Sequence, residues 1–363
     1  MPASPGARRS DPALSDDRPI VRLSRPAELV ALVPQLCGFV PHESLTVVCL
    51  RGRRSRVGLT MRVDLPDDRH GAALAGQLVE RILLDGATRV LLVVHTEQPD
   101  AAAGELPGRG LVDGLAERLD RAGLRATDRL LVRSGRWWSY DCDDERCCPA
   151  AGTPLHPEPT PALQLVAAQQ ALDGRAVLPS REELVASLAA PAPGPLRDAL
   201  AAAESDRRRQ VAERGRAVAG RASLLLWREV LADDAALSGA LDPAVAAGLV
   251  VSLADVLVRD AVLTWAVDQE ERLLALLVHL AGRCAAPHDV PVCTLVAWVA
   301  HVRGSGALAN VALDRALAAD PDAGLAGLGR QALDAQVPPS DVRALLVDAR
   351  ALLSRQHPWT RVG

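Results

Sequence analysis

The sequence contains no lysine, and all 41 of its basic residues are arginine. A Walker A loop needs a lysine on the terminal phosphates of its nucleotide, and pyridoxal phosphate is bound through a lysine amine. The missing lysine therefore excludes an ordinary P-loop nucleotide site, pyridoxal phosphate and Schiff-base chemistry. The sequence identifies no cofactor that the protein binds.

Aromatic residues are scarce as well, at 2% of the chain. Few aromatic side chains mean few stacking surfaces for single-stranded nucleic acid. A net charge of −4 over 363 residues gives no overall field that attracts nucleic acid or an anionic membrane. Apolar stretches such as 244–254 are far shorter than the ~18 residues of a membrane span. We expect no membrane partner, and nucleic acid is not favoured.

Composition along the chain predicts a tail followed by two domains. Residues 1–19 are polar and proline-rich and lack the apolar core of a signal peptide, which predicts a disordered tail and a cytoplasmic protein. Residues 20–190 alternate strand and helix patterns, which predicts an α/β domain with a mixed sheet of about five strands. The PAPGP segment at 191–195 marks the boundary. Residues 196–355 show only helical patterns and predict an all-α domain with its own core, meeting the first core near Pro195.

The five predicted strands are 45–50, 57–63, 89–94, 130–133 and 136–140. The third is an almost continuous apolar run, RVLLVV, which is typical of a strand covered by helices on both faces. Ser134 and Gly135 between the last two strands predict a two-residue hairpin turn. The longest predicted helices, in the second domain, are 196–231 and 243–267.

One helical pair, near 290–303 and 305–319, resembles a single tetratricopeptide repeat. Small residues at Ala297, Ala300 and Ala309 allow the two helices to approach closely. A repeat array needs at least three units, so we predict a helical-hairpin domain instead. Helical hairpins offer grooves to other proteins, which suggests a protein partner for this domain.

Two segments of the chain carry a family resemblance. Residues 23–65 combine a helix with an early proline, a Gly/Pro elbow and a strand–turn–strand unit. The second segment has the matching positions Trp137, Trp138, Ser139, Tyr140, Cys142, Cys147, Cys148 and Pro149. The chain resembles a bacterial, actinobacterial family known as domain of unknown function 4192. The resemblance extends into the helical end and implies no activity.

Cys142, Cys147 and Cys148 form the densest group of reactive side chains, with His156 shortly after them. These four residues could supply the ligands of a zinc ion. Their spacing is not that of C-x-x-C pairs, and neighbouring cysteines point apart in an extended backbone. Structural thiols are the preferred interpretation, followed by a disulfide from Cys142 to Cys147 or Cys148, and then by zinc.

His95 and Glu97 come directly after the third predicted strand. Ligands of open α/β sheets bind beyond the carboxyl ends of parallel strands, so this pair is the candidate for acid–base catalysis. A solvent-facing loop is the simpler interpretation. The motif Gly108-x-Gly110-x-x-x-Gly114 does not follow its strand directly, as a dinucleotide loop does, and we predict no cofactor-binding residue there.

Arg51, Arg53, Arg54 and Arg56 cluster at the tip of the first predicted hairpin. Such a cluster could grip phosphate groups, although exposed turn arginines are the commoner explanation. The sequence as a whole favours a non-enzymatic binding or interaction protein. The alternative is a small-molecule or redox enzyme with a pocket near His95, Glu97 and the Cys142–Cys148 segment. Nucleic-acid binding through the Arg51–Arg56 hairpin is a weaker alternative.

Overall fold

The computed structural model describes residues 25–67, 69–101, 104–155, 159–172, 176–189, 194–237 and 241–362. The predicted tail at 1–19 and most of the predicted boundary segment lie outside these ranges. Within them, no helix combines the length and the apolarity that crossing a bilayer requires. The predicted cytoplasmic location stays a prediction.

The first part of the chain forms a mixed sheet, as predicted. Its strands are β1 (Ser44–Arg51), β2 (Arg56–Asp64), β3 (Arg89–His95), β4 (Arg125–Arg133), β5 (Arg136–Ser139) and β6 (Thr153–Pro154). They lie in the order β2-β1-β3-β4-β5-β6, with β3 and β4 parallel and the other neighbours antiparallel. The sequence did not predict β6, because two residues ending in proline carry no alternating pattern.

Helices cover both faces of the sheet. Helix α1 (Pro26–Cys37) lies on one face, and α2 (Gly71–Asp85) and α3 (Arg109–Arg121) lie on the other. As a result, β3 is buried from Val90 to His95, which confirms the interpretation of its continuous apolar run. Ser134 and Gly135 both have positive φ angles, 48° and 71°, as the predicted two-residue hairpin turn requires.

The chain after β6 has only helices as regular elements in its described residues, apart from a single β-bridge that pairs Leu178 with Phe39. Its helices are α4 (Pro161–Leu172), α5 (Arg181–Ser187), α6 (Pro195–Arg214), α7 (Arg216–Ala232), α8 (Asp234–Leu237), α9 (Pro243–Ser252), α10 (Val256–Thr264), α11 (Glu270–Ala281), α12 (Asp289–Val302), α13 (Gly306–Ala319), α14 (Gly324–Asp334) and α15 (Pro339–Gln356). The predicted fold class, an α/β region followed by an all-α region, is confirmed.

Two of the predicted helices are each divided. The predicted helix 196–231 breaks at Gly215, whose φ of 78° is a conformation that side chains disfavour. The predicted helix 243–267 breaks before α10, where the Asp255 side chain accepts a hydrogen bond from the Leu257 amide. Apolar periodicity continues across both breaks, which is why the sequence pattern did not show them.

Helices α12 and α13 form the predicted helical hairpin. They pack closely because alanines fill their contact, and Ala297, Ala300, Ala309 and Ala316 are buried. Gly304 turns the chain between the two helices with a φ of 75°.

The buried apolar side chains form two clusters that do not divide near Pro195. One cluster lies between the sheet and helices α2 and α3. The other begins on the α1 face of the sheet, continues through Leu188 and includes the core of the helical region around Trp227. The expected pair of separate cores therefore differs from the observed packing, because α5 joins the open face of the sheet to the later helices. The domain ranges 20–190 and 196–355 stay predictions.

Candidate functional site

The register of the central strands places four polar residues side by side. Ser44 on β1 lies opposite His95 on β3, and Thr46 on β1 lies opposite Arg62 on β2. Residues that lie opposite each other point to the same face of a sheet, and so do residues two apart on one strand. Ser44, Thr46, Arg62 and His95 therefore share one face, and we call them the polar quartet.

The polar quartet lies on the face that α1 covers. Val48 comes two residues after Thr46, and Val93 comes two residues before His95, so both share the face of the quartet. Both valines pack in the same cluster as Val33 of α1. The quartet is thus enclosed between the sheet and the helix that precedes it.

The quartet is deeply buried and incompletely hydrogen-bonded. Ser44 and Thr46 are 0% exposed, and His95 is 7% exposed. Among the described residues, four of its buried atoms have no hydrogen-bond partner: Ser44 Oγ, Thr46 Oγ1, Arg62 Nε and His95 Nδ1. Each such group costs roughly 1–3 kcal/mol of stability, and most buried polar groups in proteins are paired. The partners of such groups are ordered water or a bound ligand, and the quartet places four of them at neighbouring positions.

The remaining nitrogens of Arg62 hold its side chain in place. Nη1 forms an ion pair with Asp64, and Nη2 donates to the carbonyl oxygen of His42 over 2.9 Å. Residues outside the quartet therefore hold the guanidinium in place through Nη1 and Nη2. Its buried Nε–H remains a free donor within the described residues.

Burial fixes the protonation states around the quartet. Burial, together with the nearby Arg62 and His42, lowers the pKa of His95 to about 4, and the Val93 backbone offsets part of this shift. Burial also raises the pKa of the Cys37 thiol on α1 to about 11, which the neighbouring Thr46 hydroxyl and Arg62 charge partly offset. At neutral pH the imidazole and the thiol are uncharged, so Arg62 supplies the positive charge of the quartet.

The same row of the sheet continues with two further polar side chains. His95 lies opposite Val132, Val132 opposite Trp137, and Trp137 opposite Thr153. Trp137 Nε1 and Thr153 Oγ1 are also buried without a hydrogen-bond partner in the part of the chain that the structure describes. The α1 face thus carries a polar row from β1 to β6.

The structure separates His95 from Glu97. The Glu97 carboxylate is exposed and accepts hydrogen bonds from the amide and hydroxyl of Ser134, at 3.0 and 2.5 Å. These bonds hold the pKa of Glu97 below its usual value. Within the described ranges, no hydrogen bond or ion pair joins Glu97 to His95. The predicted acid–base pair is thus a buried imidazole and a separate loop carboxylate.

Sequence reasoning missed three members of the quartet. Ser44 and Thr46 alternate with apolar residues in the segment SLTVVC, and Arg62 stands between Met61 and Val63. Polar residues on the covered side of a buried strand are the signal that could have identified them. That signal needs the sheet order, because only the register shows that three strands contribute to one place.

The arginine hairpin is partly structural. Arg51 pairs with the carboxylate of Asp85 on α2, with 3.0 Å between Nε and Oδ2, and the Leu59 amide donates to the same carboxylate. The other three arginines, Arg53, Arg54 and Arg56, are exposed at the turn and form no ion pair with any described residue. Arg51 fastens the hairpin to α2, and phosphate binding by the others stays a prediction.

The three loop cysteines come together. Sγ of Cys142 lies 3.1 Å from that of Cys147, which lies 3.7 Å from that of Cys148, and all three sulfurs lie within 4.8 Å of one another. Neighbouring cysteines point apart in an extended backbone, but this segment is a turn. The predicted fourth ligand, His156, lies outside the described residues.

Two cavities lie away from the quartet. One, of about 510 Å³, lies between α2 and α3, and Gly108, Gly110 and Gly114 line one side of it. Gly108 caps α3, and Gly110 and Gly114 lie within this helix. The other is a groove of about 940 Å³ on the helical region, lined by residues that include Arg207 and Asp255.

Comparison with known proteins agrees with the family resemblance of the two sequence segments. No curated protein and no solved structure matches the chain. A family model described as Domain of unknown function (DUF4192) matches residues 26–340, nearly the whole chain. The chain therefore belongs to the DUF4192 family.

Proposed function

We propose that the protein is a non-enzymatic binding protein and that its polar quartet holds a small oxyanion. The observation that carries this proposal is the group of four neighbouring buried atoms without hydrogen-bond partners among the described residues. The unbound protein loses free energy of unfolding because these atoms are buried without partners. A ligand that hydrogen-bonds to them restores this free energy, and the gain favours binding.

The donors of the quartet favour oxygen acceptors. Arg62 Nε–H can only donate, and the hydroxyls of Ser44 and Thr46 can turn their protons toward a ligand. The positive charge of Arg62 is partly offset by Asp64, whose side chain is 82% exposed. Water screens an exposed carboxylate, so a net attraction for anions remains. A carboxylate and inorganic phosphate share this chemistry.

Binding is better supported than catalysis at this place. A histidine with a pKa of about 4 is a weak base at neutral pH, and Glu97 is engaged by Ser134. Among the described residues, His42 lies near His95, but no hydrogen bond joins His95 to a second side chain that could transfer a proton. A protein partner for the helical region stays a prediction, with the 940 Å³ groove as its candidate surface.

The proposal is tested by titrating the purified protein with sodium acetate and, separately, with sodium phosphate. The ring nitrogens of His95 are followed by NMR, because they lie within the site. We expect a saturable shift with one of the two anions, and this identifies a carboxylate or a phosphate ligand. Ser44→Ala is expected to weaken that binding about tenfold or more, since a hydrogen bond to a charged group contributes ~1.5–3 kcal/mol.

Ser139→Ala is the matched control. Ser139 lies on β5 and its hydroxyl accepts a hydrogen bond from the Asp141 amide, so it is satisfied within the protein. This variant is expected to bind the anion as wild type does. The proposal fails if neither anion shifts His95, which leaves ordered water as the partner of the quartet. It also fails if Ser44→Ala binds unchanged.

A further inference from the structure

The loop between β5 and β6 holds its three thiols in a fixed arrangement. The carbonyl oxygen of Asp144 accepts hydrogen bonds from the amides of Cys147, at 3.1 Å, and Cys148, at 2.8 Å. The Asp144 carboxylate accepts from the Arg146 amide at 2.9 Å. These bonds curl the backbone, so that adjacent cysteines point to the same side as Cys142.

Both ends of the loop are anchored to the α/β fold. Before the cysteines, the buried Tyr140 hydroxyl donates to the Pro107 carbonyl oxygen, and Arg129 pairs with Asp141. After them, Trp138 Nε1 donates to the Ala150 carbonyl oxygen over 3.0 Å. The three cysteines therefore approach one another on a loop whose two ends are fixed to the α/β fold.

We propose that Cys142, Cys147 and Cys148 bind one zinc ion through three thiolates, with the fourth position open to water or a small ligand. Three protein ligands and one exchangeable position are a common arrangement for zinc. Each thiol gives its proton to solvent as its Zn–S bond forms, so three protons are released. No electrons are transferred.

The sulfur positions fit a zinc site better than they fit a disulfide or three unrelated structural thiols. Zn–S bonds of ~2.3 Å in a tetrahedral site place sulfur atoms roughly 3.8 Å apart. The 3.7 Å distance between Cys147 and Cys148 matches this value, and the 3.1 Å distance between Cys142 and Cys147 is shorter than it. All three sulfurs lie within 4.8 Å of one another. A disulfide needs ~2.0 Å and joins only two of the three sulfurs. Unrelated structural thiols have no reason to converge at an accessible surface, where Cys147 is exposed.

The test measures zinc in the full-length protein, purified without chelators and incubated with zinc sulfate. We expect about one zinc per chain, and cobalt exchanged for zinc should give sulfur-to-cobalt charge-transfer absorption. Single Cys→Ser variants at positions 142, 147 and 148 should each weaken zinc binding by more than about a hundredfold. Loss of a group that only supports a metal ligand already costs 10–100-fold.

Cys293→Ala is the control, because it removes a buried thiol on α12 far from the loop in sequence and should keep the zinc. The proposal is overturned if wild type binds no zinc and all three loop thiols react with a thiol reagent. A mass lower by two hydrogens, with a disulfide in this loop after zinc incubation, also overturns it. So does zinc that survives all three serine substitutions.

Discussion

His95 shows how burial decides the charge of a residue at the site. Its pKa in the folded protein, about 4, lies below the ordinary value near 6.5 because burial, Arg62 and His42 all oppose the imidazolium. The unfolded chain therefore takes up a proton first as pH falls. The contribution of neutral His95 to the free energy of unfolding is fully present above about pH 6.5. It is lost as the pH falls toward 4.

This difference predicts a pH-dependent stability. Between about pH 7 and pH 5, wild type should lose about 2 kcal/mol of unfolding free energy through His95 alone. His95→Asn has no such group, so its stability should change less over the same range. Urea denaturation at several pH values measures both. Equal slopes for the two proteins would contradict the account, and NMR titration of the His95 ring reports its pKa even if the variant folds poorly.

The residues of the site were only partly predictable. His95 was found because it ends an apolar strand, whereas Ser44 and Thr46 appeared as minor polar interruptions of another. A pattern along one strand shows which side chains alternate, but it does not show which strand lies next to it. The quartet depends on the order β2-β1-β3, which is a long-range feature.

At the scale of secondary-structure elements, Gly152 in the β5–β6 loop occupies a position that suits only glycine. Its φ is 73°, and a Cβ atom there would lie 2.4 Å from the Trp138 ring. Gly135, in the β4–β5 turn, has nearly the same φ of 71° but open space around it. A side chain at position 135 would therefore meet backbone strain alone. A side chain at position 152 would meet the same backbone strain and also clash with Trp138.

We expect Gly135→Ala to cost about 1–2 kcal/mol, the usual penalty of a left-handed side-chain residue. Gly152→Ala should cost about 1–3 kcal/mol more, because the methyl group also displaces Trp138. Urea denaturation of both variants gives the comparison. Equal losses of stability would show that Trp138 does not pack against Gly152.

Secondary-structure elements were the most predictable level. The five longer strands and the hairpin of α12 and α13 follow from alternation and helical periodicity. The breaks at Gly215 and before α10 were missed, since apolar periodicity runs through both. A single glycine or a capping aspartate decides such breaks locally, against a pattern that still favours a helix.

At the scale of the whole molecule, Arg315 on α13 links α5, which packs in the same cluster as the α1 face of the sheet, to the later helices. Its guanidinium donates to the carbonyl oxygens of Leu188, Ala281 and Cys284 and pairs with Asp289 at 3.0 Å. Arg315 and Asp289 have side chains only 13% and 5% exposed. This cluster joins the end of α5 to α11, α12 and α13.

Removing Arg315 should therefore destabilise the whole chain. Arg315→Ala leaves a buried carboxylate and three carbonyl groups without their partner, and we expect a loss of about 3–5 kcal/mol. Arg330→Ala is the control, because Arg330 pairs with the more exposed Asp314 and should cost about 1 kcal/mol or less. Thermal unfolding compares them. Similar losses would contradict the role given to Arg315.

The measurement that tests the central claim most directly is the unfolding free energy of wild type and Ser44→Ala, each with and without the anion that shifts His95. Without anion, Ser44→Ala should be as stable as wild type or more stable by up to about 1–2 kcal/mol, because it deletes an unsatisfied hydroxyl. The anion should stabilise wild type and have little effect on the variant. A variant that is less stable without anion, or that gains as much from the anion as wild type does, would contradict ligand binding by the polar quartet.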